Sequence, residues 1–293
     1  MEPVLLLLGG AALFAAAYAV VSRILLRIRW RRPLTFRVEP IPETWHGIIE
    51  RNVPLTRKLP ADQFTRLLRF TQLFLHDKHI EGCGGLEITE EIRVTVAAQA
   101  CLLLLGIDVG CYPGVRTILL YPTPYSKTET VSHPGGWQEQ GVQRNAGEAW
   151  SQGIVVLAWN HALHGARNPF DGRNVILHEF AHQLDFLDGA ADGVAPIAEG
   201  HNLRAWADVL ERHLGLLRKA LKKRRKTVMR EYGATNKAEF FAVATEAFFE
   251  KPRQLNKRRP DLYEALQRVY GMDPMQSQMM ANTDDAEPGD TKS

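Results

Sequence analysis

Cysteine is scarce: Cys83, Cys101 and Cys111 are the only three in 293 residues, an odd number with no CxxC spacing. A disulfide framework and a cysteine-ligated zinc are therefore disfavoured, and a reducing compartment fits. An excess of one charge is missing as well, with 36 Lys and Arg against 33 Asp and Glu. Composition thus calls for neither nucleic acid nor an acidic substrate, and direct nucleic-acid binding is not expected. The glycine-rich stretch Gly82-Cys83-Gly84-Gly85 has neither GxGxxG order nor a following Lys-Ser or Lys-Thr, which excludes a phosphate-cradling loop and leaves a structural turn. A hydrophobic content of 45% is ample for a core and excludes a disordered or fibrous chain.

Charge is also absent from residues 3–22, and here the absence is a positive signal. An uncharged apolar run of that length crosses a bilayer as a helix. A signal peptide is the rival reading, with Ala17-Tyr18-Ala19 as its cleavage site, but Met1-Glu2 lacks the basic start such peptides carry. Arg23, Arg27, Arg29, Arg31 and Arg32 follow the run at once. By the positive-inside rule they keep the rest of the chain in the cytoplasm. The expectation is one transmembrane helix with its basic flank over 1–32, at the inner membrane, the alternative being a cytoplasmic protein.

Residues 33–54 then read as an Arg- and Pro-rich linker ending in a short helix, and the domain proper as 55–275. Residues 61–75 place apolar side chains at helical intervals, with Arg66 and Arg69 outside. Thr89, followed by Glu90 and Glu91, caps a core helix that stops at Gly106. Strands are expected over 117–121 and 153–159, with a long loop and room for a hairpin between them. A helix over 201–225 ends in the basic run 218–226, read chiefly as a solvated helix end. Another helix starts near Asn236 and closes at Pro252, a last one covers 262–270, and 276–293 read as a disordered tail.

The chemistry hangs on His178-Glu179-Phe180-Ala181-His182, an HExxH pattern. Residues four apart share a helix face, so both imidazoles can reach one metal ion. Glu179 is placed to serve a water as general base. Apolar neighbours nearly all round, including Ile176, Leu177, Ala181 and Leu184, make this a buried helix, with Asp171, Gly172 and Asn174 as start signals. Histidines and a carboxylate buried together without a metal would each need other partners.

Catalytic zinc takes three protein ligands and leaves one position for water. Three residues compete for the third place. Asp188 stands ten after His178, but the arrangement that would use it needs a glycine where this chain has Asp185. Glu239 and Glu246 lie on one face of the downstream helix among phenylalanines and alanines, where a carboxylate wants a cation.

Gly82 to Thr89, 97–101, Asp171-Gly172 with 178–185, and Tyr232-Gly-Ala-Thr-Asn followed by 239–246 together resemble the Mlc titration factor A family of zinc-dependent peptidases. The resemblance covers roughly 55–270. Its catalytic core is similar to the metallopeptidase domain of anthrax lethal factor, in which a Tyr precedes the third ligand Glu by seven residues, the spacing of Tyr232 and Glu239. It implies an α+β, mainly helical, zincin-like domain with a small sheet, of gluzincin-like type. It implies one Zn2+ held by His178, His182 and Glu239, with Glu179 as general base and Tyr232 at the oxyanion. Glu246 and Asp185 would support the ligands from behind. The implied function is an aminopeptidase-like hydrolase of short peptides linked to control of a Mlc-like repressor of sugar uptake. The alternative is a regulator-sequestering protein with a weak or latent zinc site. This chain departs from the better-known members in its N-terminal run and in the density of basic residues before Tyr232.

Overall fold

The computed structural model describes residues 40–124, 130–132, 138–140, 153–197 and 201–276. The expected membrane helix, its basic flank and the start of the linker, 33–39, lie outside the described residues, as does the tail from 277. Among the described residues no helix is long and apolar enough to cross a membrane.

The elements are α1 Thr44–Asn52, α2 Ala61–Asp77, β1 His79–Gly82, α3 Glu90–Leu102, β2 Thr117–Tyr121, β3 Thr130–Ser132, β4 Gln138–Gln140, β5 Ile154–Ala158, α4 Trp159–Arg167 and α5 Val175–Asp185. They continue with α6 His201–Lys222, α7 Lys237–Glu250, α8 Pro252–Arg258 and α9 Pro260–Tyr270. This is the mainly helical α+β layout with a small sheet that the family resemblance implies.

Helix α3 is the pillar of the core. Thr89 caps it, its Oγ1 accepting from the Ile92 N–H. Ala97, Ala98 and Ala100 are fully buried, and such small side chains let α1, α2, α4 and α5 pack closely on it. The helix ends at Leu102, and 103–106 continue only as turns.

Residues 44–53, read from sequence as the end of a linker, belong to the core. Ile49 and Val53 are fully buried, and Asn52 donates to Thr95 Oγ1 at 2.9 Å and accepts from Arg167 Nε at 2.9 Å. Polar knots of this kind leave no signature in periodicity. Strand β1 also escapes the sequence reading, because four residues with two polar members carry no strand pattern. Its Ile80 pairs with Ile118 of β2, and Ile118 with Val155 of β5, in a parallel sheet of order β1-β2-β5. The expected hairpin is present as the antiparallel pair β3 and β4.

Pro252, read as a helix stop, also opens α8, where a missing N–H costs nothing. Helix α5 crosses the molecule between α3 and α7. Its Phe180 faces away from the two histidines, in an aromatic cluster with Tyr112 and Phe74 at 4.7 and 5.5 Å between ring centroids. That packing fixes which face α5 offers to α7.

Candidate metal centre

Asn174 begins α5 by accepting the Leu177 N–H at 3.1 Å, and Asp171 holds the turn before it through the Arg173 N–H at 2.8 Å. The helix so started carries His178 and His182 on the face toward α7. Their Nε2 atoms are 3.2 Å apart. Asn236 caps α7 by accepting the Glu239 N–H at 2.9 Å, which sets Glu239 in the first turn opposite both rings. Glu239 Oε2 lies 3.1 Å from His178 Nε2 and 3.5 Å from His182 Nε2. All three side chains are buried, and their ligand atoms lie within 4.8 Å of one another.

Of the rival third ligands, Asp188 is engaged in a turn, accepting the Ala190 N–H at 3.1 Å. Glu246 stands behind His178, with Oε1 2.5 Å from the ring Nδ1. With the Nδ1 proton given to Glu246, the Nε2 lone pair of His178 faces the lone pairs of His182 and Glu239. A cation between them relieves that arrangement, and so does a second proton on His178, its Nε2–H then donated to Glu239. Burial by itself lowers the pKa of His178, but the bonds to Glu239 and Glu246 outweigh it and hold the ring at about 10. For Glu239, burial raises the pKa and the two histidines lower it further, well below the usual carboxylate range. Two imidazoles and one carboxylate fit a divalent metal, with a coordination position left for another ligand.

Sequence reasoning missed part of the support. Arg230 donates to Glu246 Oε1 and, through Nε, to Gly172 O at 3.1 Å, so one guanidinium ties Glu246 to the turn before α5. The Asn174 N–H reaches Glu246 Oε2 at 3.2 Å, and its Nδ2 reaches Glu250 at 3.0 Å and Gln99 at 3.1 Å. Arg230 was hidden among the basic residues before Tyr232, whereas Glu250, one turn past Glu246 in an apolar helix, was open to notice.

Tyr232, on the turn 231–234, is 44% exposed and donates to Glu239 Oε1 at 3.2 Å. Burial first and Glu239 next push its phenol up to about 12, so it remains a donor at neutral pH. Glu179 is partly exposed, and its charge raises the pKa of both His178 and Tyr232, which puts it beside the cluster. Asp185 serves the following loop: it accepts the Gly193 N–H at 2.9 Å, while Trp206 donates to Gly193 O at 2.7 Å. Gly193 has φ +79, and a Cβ there would come within 2.5 Å of Lys237 O, next to α7.

A family model described as glucose-regulated metallo-peptidase M90 matches residues 27–271. Among relatives, an uncharacterized protein of Synechocystis sp. is 37% identical over 84% of this chain and 90% of its own length. The Mlc titration factor A of Pectobacterium atrosepticum is 31% identical over 80% of this chain and 87% of its own. That of Serratia proteamaculans is 31% identical over 76% and 85%. With a buried His-His-Glu cluster suited to a divalent metal and a match over most of its length, the chain belongs to the glucose-regulated metallo-peptidase M90 family and is a relative of the Mlc titration factor A proteins.

Proposed function

We propose that the chain is a zinc-dependent peptidase, aminopeptidase-like toward short peptides. The observation that carries this is the convergence of His178, His182 and Glu239 from two helices, with Glu179 and Tyr232 alongside. His178, His182 and Glu239 would hold one zinc ion. Zinc so bound makes a water acidic near neutrality and polarises a carbonyl. Glu179 takes the proton from the attacking water and later gives it to the leaving amine. The Tyr232 phenol donates to the oxyanion as the carbonyl becomes tetrahedral. Glu246 keeps the His178 proton on Nδ1, and Arg230 keeps Glu246 in place.

Strand β5 supports a peptide substrate. It is the edge of its sheet among the described residues, and its Gly153 carbonyl turns inward to the Thr117 N–H at 3.2 Å. Alternation along the strand then turns the backbone of Ile154, Val156 and Ala158 outward, where an extended peptide can pair with it. The test is zinc content together with hydrolysis of free and N-blocked peptides, with Glu239→Ala as comparison. One zinc per chain and cleavage of free peptides, both lost in the variant, is the expected result. Cleavage undiminished in a variant that holds no zinc would sink the reading.

The name Mlc titration factor A borne by relatives favours a second reading, in which the chain sequesters a Mlc-like repressor of sugar uptake. In that case Glu179→Gln still restores regulation in a deletion strain; under the enzyme reading it does not. The uncharged run 3–22 and the arginines after it support a place at the inner membrane, domain inside, with the cytoplasm as alternative. Fractionation of cells with and without residues 1–32 separates the two.

A further inference from the structure

The basic run that ends α6 has no part in the chemistry above. It does not lie flat. With the end of α8 it lines a half-open pocket of about 510 Å3 whose wall carries Lys219, Lys223, Arg225, Lys226, Arg258 and Arg259, and no acidic residue lines it. Among the described residues none of these six is ion-paired, whereas the neighbouring Arg212 and Lys237 do find carboxylates, on Asp261 and Glu211. Charges gathered around a cavity of this size lie within about one Debye length, ~8 Å at physiological ionic strength, so they repel one another. The floor is apolar, formed by Leu217, Val228 and Met229.

This wall is built rather than frayed. The Arg225 N–H returns to Ala220 O at 3.0 Å and the Arg224 N–H to Leu221 O at 2.9 Å, the paired bonds of a Schellman closure. Its left-handed position, φ +51, is held by Arg224, where glycine is favoured. A helix end that merely faced solvent would gain by placing glycine there and spreading its charges. Residues 227–229 then run straight into Arg230, so the cavity adjoins the support of the metal centre while sharing no residue with it.

We infer that this cavity is a binding site for a phosphate-bearing polyanion, its phosphates held by the Lys and Arg wall and its less polar part resting on Leu217, Val228 and Met229. Phosphate oxygens match guanidinium and ammonium donors, and several cations together call for more than one negative charge. A nucleoside triphosphate and the headgroup of an anionic phospholipid share this chemistry.

The experiment titrates the zinc-loaded full-length chain with ATP by calorimetry, and sediments it with phosphatidylglycerol vesicles against phosphatidylcholine ones. Each arm is repeated with Lys223→Glu/Arg225→Glu, both exposed positions whose reversal leaves the core intact. The expected result is binding in at least one arm that falls about tenfold or more in the double variant. Loss in the ATP arm assigns a soluble phosphate, and loss in the vesicle arm assigns a headgroup. Binding in neither arm, binding that survives charge reversal, or binding only to an oligonucleotide would overturn the inference.

Discussion

Glu246 stands directly behind His178, its Oε1 2.5 Å from the ring Nδ1, two helical turns beyond Glu239 on the same face of α7. One short helix thereby touches His178 from the front with Glu239 and from behind with Glu246. Arg230 and the Asn174 N–H keep Glu246 from turning away. Partners of this kind fix a ligand's tautomer and raise its basicity. Glu246→Ala should weaken metal binding by about 10- to 100-fold, read by competition with a chelator of known affinity. Wild-type affinity in that variant would mean that Glu246 serves packing alone.

Glu179→Gln should leave metal content unchanged and lower kcat by about 100-fold or more, the usual size of a general-base contribution. Glu179 makes no part of the ligand cluster. Metal analysis and peptide hydrolysis on the same preparation decide it.

Tyr232→Phe should cost about 100-fold in kcat, the scale of one oxyanion donor, with KM little changed. Its hydroxyl gives one bond to Glu239 from a half-exposed ring, so the melting temperature should hardly move. A variant that loses metal instead would recast Tyr232 as a support for Glu239.

Glu250 is buried, and burial first, with Glu246 nearby, raises its pKa to about 8 from 4.5. The folded chain therefore keeps a proton that the unfolded chain has already released. Stability from this group is full below pH 4.5 and is lost as pH rises toward 8. Glu250→Gln keeps a neutral side chain at every pH, so its urea midpoint should fall less between pH 5 and pH 8 than that of the parent. Equal slopes would show that Glu250 is ionised throughout.

Asn174→Ala removes the cap of α5 and takes from Glu250 Oε1 and Gln99 Oε1 the amide that donates to both, while Glu250 Oε2 keeps the Arg173 N–H. A loss of about 2 kcal/mol or more is expected from the cap together with the unsatisfied partners, measured by denaturant unfolding. The backbone N–H that reaches Glu246 survives the substitution, so metal affinity should fall only as far as the start of α5 frays.

The sequence could be read furthest where a local rule is enough. The caps at Thr89, Asn174 and Asn236 stand where a hydroxyl or amide precedes an apolar run, and the spacing of His178 and His182 follows from the helical repeat. Long-range pairing has no such local mark. Neither Asn52 binding α3 and α4 together nor β1 pairing with β2 across the intervening α3 could be read from periodicity.

By itself, then, the sequence determined that two histidines share one face of a buried helix, and that two carboxylates share a face of another. Family resemblance put Glu239 ahead of Glu246 as the ligand, but local pattern gave both the same apolar company. Only the crossing of α5 and α7 separated them. It sets Glu239 against the Nε2 side of His178 and Glu246 against the Nδ1 side, because an imidazole has two nitrogens on opposite edges and a packed core lets each be met by one partner. It also drew Arg230 out of a basic stretch and onto Glu246, since a carboxylate buried at 0% exposure cannot be left without a cation.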